Sequence, residues 1–111
     1  MLFASGDIIE FDFNPSLGHE PAGRRPALVV SNETFNVATS MTLVCPITTR
    51  RDSFPLHFDL PEGLETYGTV AIEQVRAFDL EARSPEFVES VNDGDDPAFM
   101  DHVRECLRSF F

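Results

Sequence analysis

The stretch GHEPAGRRPALVVS, residues 18–31, joins a polar segment directly to a short run of apolar side chains. The apolar part, Pro26–Val30, is continuous and ends in two β-branched valines, a pattern that predicts a strand buried on both faces. The polar part holds two glycines, a histidine, a glutamate and the pair Arg24–Arg25, which predicts a loop at the entrance to that strand. Because the chain has only eight basic residues, the placement of two of them beside a core strand needs an explanation.

Two further strands are predicted on either side of this stretch. Ile8–Phe13 alternates apolar and acidic side chains, which predicts a half-buried strand. Asn14-Pro15 ends it, because a proline restricts the residue before it and cannot serve a central ladder. Met41–Ile47 predicts another strand. Between the two apolar runs, Asn32–Val37 predicts a single helical turn, with Ser31 and Asn32 as candidate N-caps.

The second half of the chain contains shorter strand patterns. Phe54–Leu60 alternates apolar and polar side chains, and its proline predicts an edge position in the sheet. Thr69–Gln74 and Val75–Arg83 are consistent with two short strands or one bent strand, and Phe87–Val91 predicts one more.

A helix is predicted at the end of the chain. Asp96 is a suitable N-cap, and Pro97 suits the first helical position. An apolar stripe with helical spacing follows, formed by Phe99, Val103, Leu107 and Phe110 beside Cys106. For Phe110 and Phe111 we expect a place in the core, with docking on a partner subunit as the alternative. Several short strands followed by one packing helix predict an α+β fold, a small and partly open antiparallel barrel with a C-terminal α-helix.

The composition is that of one folded domain spanning residues 1–111. Apolar residues make up 42% of the chain, and eleven phenylalanines favour a packed core over disorder. Cys45 and Cys106 each lie in an apolar pattern, which favours free thiols in a reducing compartment, with a disulfide as the alternative. The sequence shows no basic leader and no long apolar segment, so we expect a cytoplasmic protein without a membrane span.

The net charge of −11 is unevenly distributed. Residues 1–51 hold five acidic residues and four arginines, whereas residues 52–111 hold fourteen acidic residues and four arginines. A site for an anion therefore belongs mainly to the first half. The chain has no lysine, and the planar guanidinium of arginine is the better bidentate ligand for a phosphate.

Most sequence signatures of enzymes are absent. His19, His57 and His102 lie on separate elements without metal-ligand spacing, so no metal and no cofactor is expected. No nucleophile elbow, phosphate-binding glycine loop or dinucleotide fingerprint occurs.

Two polar segments that adjoin apolar strands remain as candidates for a site. These are Gly18–Pro26 and Thr48–Arg51. If their strands lie side by side, the Arg25 guanidinium and the Thr48 hydroxyl converge on one phosphate. The composition alone favours the alternative, two solvated loops that carry surface arginines.

Four segments taken together resemble the MazF/PemK toxins of bacterial toxin–antitoxin pairs. They are GDIIEFDFNP (residues 6–15), GHEPAGRRPALVVS (18–31), MTLVCPITT (41–49) and VAIEQVRAFD (70–79). The resemblance implies an SH3-like barrel, assembled as a homodimer, that cleaves single-stranded RNA at short motifs without a metal and is silenced by a MazE-like antitoxin. The alternatives on this fold are a gyrase poison of the CcdB type, an inactive protein-binding module and a structural partner without activity.

The resemblance also implies roles for individual residues. The catalytic arginine and threonine of the family match Arg25 and Thr48, and Glu20 and His19 match residues that serve as candidates for the general base. Some members use an arginine and an aspartate where this chain has Ala71 and Glu73, so the identity of the base stays open. The expected RNA contacts are Arg24, Thr49, Arg50, Arg51, Phe54, Gln74, Arg76 and Arg83.

Overall fold

A computed structural model describes residues 2–15, 22–50 and 52–111. These residues form seven strands and two α-helices joined by turns and three short 3-10 helices. The strands are β1 (Asp7–Asp12), β2 (Arg24–Val29), β3 (Thr42–Thr48), β4 (His57–Asp59), β5 (Thr69–Ala71), β6 (Arg76–Phe78) and β7 (Glu86–Ser90). The α-helices are α1 (Glu33–Thr39) and α2 (Phe99–Arg108), and the 3-10 helices are Ile72–Gln74, Leu80–Arg83 and Val91–Asp93.

Strand β3 is the centre of an antiparallel sheet whose order is β4-β5-β3-β2-β1-β7. The first part of β3 pairs with β6, its middle pairs with β2, and Ile47 and Thr48 pair with β5. The sheet curves but does not close, because β4 and β7 remain at its two ends. The predicted α+β class and the partly open architecture are therefore confirmed.

Two apolar clusters hold the sheet. Side chains of α2 such as Phe99 and Val103 pack on one cluster together with Ile8 and Leu28. The other contains a stack of aromatic rings, in which the Phe11 and Phe13 centroids lie 4.3 Å apart and Phe78 meets both rings edge-on. Because side chains alternate along a strand, β1 supplies Ile8 to the first cluster and Ile9 to the second.

The Phe54–Leu60 pattern forms a shorter strand than expected. Only His57–Asp59 is a strand, although it does lie at the edge of the sheet as predicted. The Asp52 carboxylate accepts the N–H of Phe54, which bends the chain into a turn, and Pro55 has no N–H for a ladder. Phe54 lies before the strand begins and is 47% exposed.

Other boundaries shift by a few residues. Thr69–Gln74 and Val75–Arg83 each form a three-residue strand followed by a 3-10 helix. The predicted turn after Asn32 is the full helix α1, and the Asn32 side chain caps it by accepting the N–H of Phe35.

The C-terminal helix begins at Phe99, so the prediction of Asp96 as its N-cap is wrong. The Asp96 carboxylate instead accepts the N–H of Ala98 in the preceding turn. The helix ends at Arg108, and the chain beyond it leaves the apolar stripe. Phe110 and Phe111 are exposed, so their expected place in the core is wrong.

Both cysteines are free thiols, as predicted. Cys45 is fully buried, and burial raises the pKa of its thiol to about 12. Within the described ranges, no helix has the length and apolar character that crossing a membrane requires.

Candidate active site

A cleft opens where β3 separates from β2. The ladder between these strands ends at the pair Ala27 and Pro46. Continuing that register by two residues places Arg25 of β2 opposite Thr48 of β3, but β3 has by then turned to pair with β5. The space between the two strands is a cleft of about 720 Å³, and Arg25 and Thr48 both line it. Arg25 and Thr48 thus line one cleft, and their roles in it stay predictions.

The side chains of the two adjacent arginines have different partners. The Arg25 Nε donates to the carbonyl oxygen of Ala22 at 2.9 Å, and no carboxylate of the described residues pairs with this guanidinium. The Arg24 Nε lies 2.9 Å from Glu10 Oε1, and its Nη2 lies 3.1 Å from Glu86 Oε1. Since consecutive side chains of a strand point to opposite faces, one arginine joins β1 to β7 and the other is left for the cleft.

Thr48 occupies the last position of β3. Its Oγ1 accepts the N–H of Arg50 at 3.2 Å, so the hydroxyl proton remains available to donate to a ligand. In the register of the sheet Thr48 pairs with the buried Thr69, whose hydroxyl donates to Asp59 at 3.0 Å. Thr48 is thus held by the backbone on one side and offers its side chain to the cleft.

A histidine between two carboxylates forms one wall of the cleft. The Nδ1 of His57 lies 2.9 Å from Asp52 Oδ1, and its Nε2 lies 2.9 Å from Glu73 Oε1. Burial lowers the pKa of His57, but the hydrogen bonds and charges of Glu73 and Asp52 outweigh this effect and raise it above its ordinary value. The backbone N–H of Phe54 and the contact with His57 lower the pKa of Asp52.

The sequence motifs do not indicate this group. In the sequence His57 stands out only as a candidate metal ligand, because Asp52 is five residues away and Glu73 is sixteen residues away. The pairing of His57 with Ala71 across β4 and β5 brings the imidazole to the 3-10 helix that carries Glu73. No local pattern in the sequence indicates that pairing.

Tyr67, which sequence reasoning also missed, reaches the cleft from the connection between β4 and β5. Glu89 of β7 holds that connection, because its carboxylate accepts the N–H groups of Glu65 and Thr66 at 3.0 and 2.6 Å and the hydroxyl of Thr66 at 2.6 Å. Burial raises the pKa of Glu89, but these three hydrogen bonds outweigh burial and lower it.

The other predicted site residues fall into four groups. Thr49, Arg50 and Gln74 line the cleft, as does Arg24 despite its ion pairs. Phe54 lies beside it, with its ring centroid 4.8 Å from that of His57, at an adjoining cavity of about 550 Å³. Residues His19, Glu20 and Arg51 lie outside the described residues.

Arg76 and Arg83 are not among the residues that line the cleft. Both guanidinium groups lie over the ring of Phe78, at 4.6 and 4.9 Å from its centroid. Arg83 also donates from Nη1 to the carbonyl oxygens of Asp12 and Asn14. Their roles in RNA binding stay predictions. Across the part of the chain that the structure describes, no group of three histidine, cysteine, aspartate or glutamate side chains is arranged to hold a metal ion.

Known proteins resemble this chain over most of its length. Residues 4–111 match the family described as the PemK-like, MazF-like toxin of type II toxin–antitoxin systems. The endoribonuclease toxin ChpB of Escherichia coli K12 is 45% identical over 89 residues, which cover 73% of each chain. The endoribonuclease toxin MazF of the same strain is 40% identical over 78 residues, covering 70% of this chain and 69% of that protein.

Solved structures share the fold. The crystal structure of MazF from Deinococcus radiodurans superposes with a TM-score of 0.86 at 31% identity, covering 99% of this chain and 96% of that one. The MazE–MazF complex from the same organism superposes with a TM-score of 0.81, at the same identity and coverage.

Proposed function

Because this chain belongs to the family of PemK-like, MazF-like toxins of type II toxin–antitoxin systems, we propose that it is an endoribonuclease toxin that cleaves single-stranded RNA at short sequence motifs. The observation that carries the proposal is the cleft in which Arg25 and Thr48 lie on facing strands. Curated relatives named as endoribonuclease toxins support the reaction class.

The chemistry follows from what RNA itself supplies. The 2′-oxygen of a ribose attacks the neighbouring phosphorus, a new P–O2′ bond forms, and the P–O5′ bond breaks. The products are a 2′,3′-cyclic phosphate and a free 5′-hydroxyl. One proton leaves the 2′-hydroxyl to a base, and one proton is given to the departing 5′-oxygen. The protein therefore has to orient the attack, stabilise charge on the phosphoryl oxygens and move protons.

Arg25 is suited to stabilise the negative charge on the phosphoryl oxygens. Its guanidinium stays protonated at every relevant pH and offers a fork of N–H donors that fits two phosphoryl oxygens. Because that group is a poor base, proton removal has to fall to another residue. Thr48 donates its hydroxyl to a phosphoryl oxygen, since without a base beside it a threonine is not a nucleophile. Glu20 and His19 remain the candidates for the general base that the family resemblance implies, and metal independence is part of the same proposal.

The proposed partners are single-stranded RNA, a MazE-like antitoxin and a second copy of the chain. The MazE–MazF complex of Deinococcus radiodurans supports the antitoxin. Exposed apolar side chains on the edge strand β7, Phe87 and Val88, support a homodimer. An RNA substrate and two free thiols favour the cytoplasm as the location.

The test is a cleavage assay with the antitoxin removed. Mixed-sequence RNA incubated with the protein in EDTA is expected to give fragments with 2′,3′-cyclic phosphate and 5′-hydroxyl ends. Arg25→Ala and Thr48→Val should lose nearly all of this activity, while Arg108→Ala, an exposed arginine on α2 outside the cleft, should retain it. RNA that stays intact with a folded wild-type protein would overturn the proposal, and inhibition of gyrase supercoiling would then favour the poison of the CcdB type.

A further inference from the structure

The geometry around His57 indicates its protonation state. Both ring nitrogens lie within 3.1 Å of carboxylate oxygens, Nδ1 against Asp52 and Nε2 against Glu73. A neutral imidazole has one N–H donor and one lone pair, so it would turn a lone pair toward one of the two carboxylates. Only the imidazolium donates to both. The side chain is 13% exposed, which limits the competition from water for these hydrogen bonds.

The two carboxylates belong to different segments, and both segments line the cleft. Asp52 lies in the connection that follows Thr48 and carries Arg50. Glu73 lies in the 3-10 helix Ile72–Gln74, which ends at Gln74 in the cleft wall. The imidazole on the short edge strand β4 thus joins two segments that β4 alone, with three residues, holds weakly.

We propose that protonated His57 is a positioning residue for RNA cleavage: by donating to Asp52 and Glu73 at once, it holds Arg50 and Gln74 in the cleft. This inference rests on the proposed function. The loss of the proton removes one of the two hydrogen bonds, releases one segment and weakens RNA binding. The raised pKa of His57 agrees with this geometry and keeps the ring charged at higher pH than a free histidine.

The change in charge when His57 loses its proton also weakens RNA binding. With the imidazolium present, the group of Asp52, His57 and Glu73 carries one net negative charge, and without the proton it carries two. Besides these groups, the titratable and charged side chains that line the cleft are Arg24, Arg25, Arg50 and Tyr67 within the described residues. Arg50 acts electrostatically on Asp52. Deprotonation of His57 therefore makes a cleft with few cations more repulsive to phosphate.

The first test measures the titration of His57 between Asp52 and Glu73 without any RNA. Nuclear magnetic resonance of the imidazole Cε1–H resonances is expected to show His57 titrating at higher pH than a histidine in a short unstructured peptide. The midpoint should fall in both Glu73→Gln and Asp52→Asn, since each removes a charged acceptor. A His57 midpoint at or below that of an ordinary histidine, or one that neither substitution moves, would overturn the proposal.

The second test relates the protonation of His57 to RNA cleavage. The kcat/KM of RNA cleavage by the wild type should fall at alkaline pH with the midpoint of the ring titration. His57→Gln should lack this limb and raise KM about tenfold with little change in kcat, as expected for the loss of a charge-assisted hydrogen bond used in binding. His102→Gln should behave as wild type, and Glu73→Gln should shift the limb to lower pH, which guards against a His57 variant that does not fold.

The outcomes separate the two proposals. An alkaline limb that persists unchanged in folded His57→Gln would overturn the role of His57 while leaving the nuclease intact. A wild-type protein that cleaves RNA at no pH would overturn the proposed function and with it the contribution of His57 to cleavage. The ring titration reports separately on the hydrogen bonds of His57 with Asp52 and Glu73.

Discussion

Gly68 lies directly against the carbonyl oxygen of Thr48. Its φ of +145° is unfavourable for residues with a side chain, and a Cβ built on it would overlap that oxygen. The N–H of Leu60 donates to the carbonyl oxygen of Gly68, which ties the glycine to the strand connection on its other side. The position of the Thr48 hydroxyl therefore depends on the absence of a side chain at Gly68, the residue that precedes β5.

Gly68→Ala should consequently reduce both stability and RNA cleavage. The substitution forces a Cβ against the carbonyl oxygen of Thr48 at a positive φ, and we expect a loss of roughly 2 kcal/mol in the free energy of unfolding. A displacement of Thr48 by about 1 Å should lower kcat/KM about a hundredfold. Chemical denaturation and a cleavage assay measure the two effects.

Gly63→Ala provides a matched control for this prediction. Its φ of +89° is also positive, but the nearest atoms belong to the Asp95 side chain, which is free to rotate away. Gly63 does not line the cleft, so the variant should lose stability and keep the kcat/KM of the wild type. Equal loss of activity in both variants would contradict the argument from Thr48.

Arg25→Lys should inactivate the protein although it retains the charge. An ammonium is a point charge and lacks the planar fork that binds two phosphoryl oxygens, so we expect kcat/KM to fall about a hundredfold or more. Arg108→Lys, the same substitution on the exposed end of α2, should change nothing. Arg25→Lys with wild-type kinetics would show that charge alone is sufficient at this position.

Glu89→Gln should alter the pH dependence of stability on the acid side. The folded-state pKa of Glu89 is lowered, so its contribution is present above the pKa of the unfolded chain and is lost as the pH falls through the folded-state pKa. At neutral pH we expect the variant to unfold with about 1 kcal/mol less free energy, and the difference should shrink on acidification. Glu105→Gln, an exposed carboxylate on α2, serves as the control in the same urea titrations. A difference independent of pH would contradict the assignment.

RNA binding should depend only weakly on salt. Of the described arginines that line the cleft, Arg24 is engaged by two carboxylates, which leaves Arg25 and Arg50 for phosphates. Two contacts predict a slope of about −1.5 for log K against log salt concentration on single-stranded RNA. The non-cleaving Thr48→Val variant allows this measurement at equilibrium. A slope of about −4 or steeper would require further cationic contacts elsewhere on the protein.

Cys45 should resist alkylation in the folded protein. Its thiol is fully buried and its pKa is raised to about 12, so both access and the reactive thiolate are lacking. Iodoacetamide at neutral pH should modify Cys45 only after denaturation, while the partly exposed Cys106 should react first. Mass spectrometry of native and denatured samples distinguishes the two thiols, and rapid native modification of Cys45 would show that the core opens.

Local sequence patterns were sufficient to predict the strands that form the centre of the sheet. The predicted segments Ile8–Phe13, Pro26–Val30 and Met41–Ile47 differ from β1, β2 and β3 by one or two residues at each end. Their apolar side chains, alternating in the first segment and mostly continuous in the other two, are buried in any compact arrangement. The weaker pattern of Phe54–Leu60 failed in its first half, because the hydrogen bond from Phe54 to Asp52 competes with the ladder.

The sequence by itself determined the order of the main elements and the free thiols, and it singled out Arg25 and Thr48 as site candidates. Only the tertiary structure decided which charged side chains of the cleft remain available to bind a ligand. Arg24 is drawn to Glu10 and Glu86, and His57 is drawn to Glu73, through strand pairings between segments distant in the chain, while Asp52 reaches His57 from the turn before β4. Hydrophobic periodicity is a local property, whereas the partner of a charged side chain depends on the register of strands that meet only when the sheet forms.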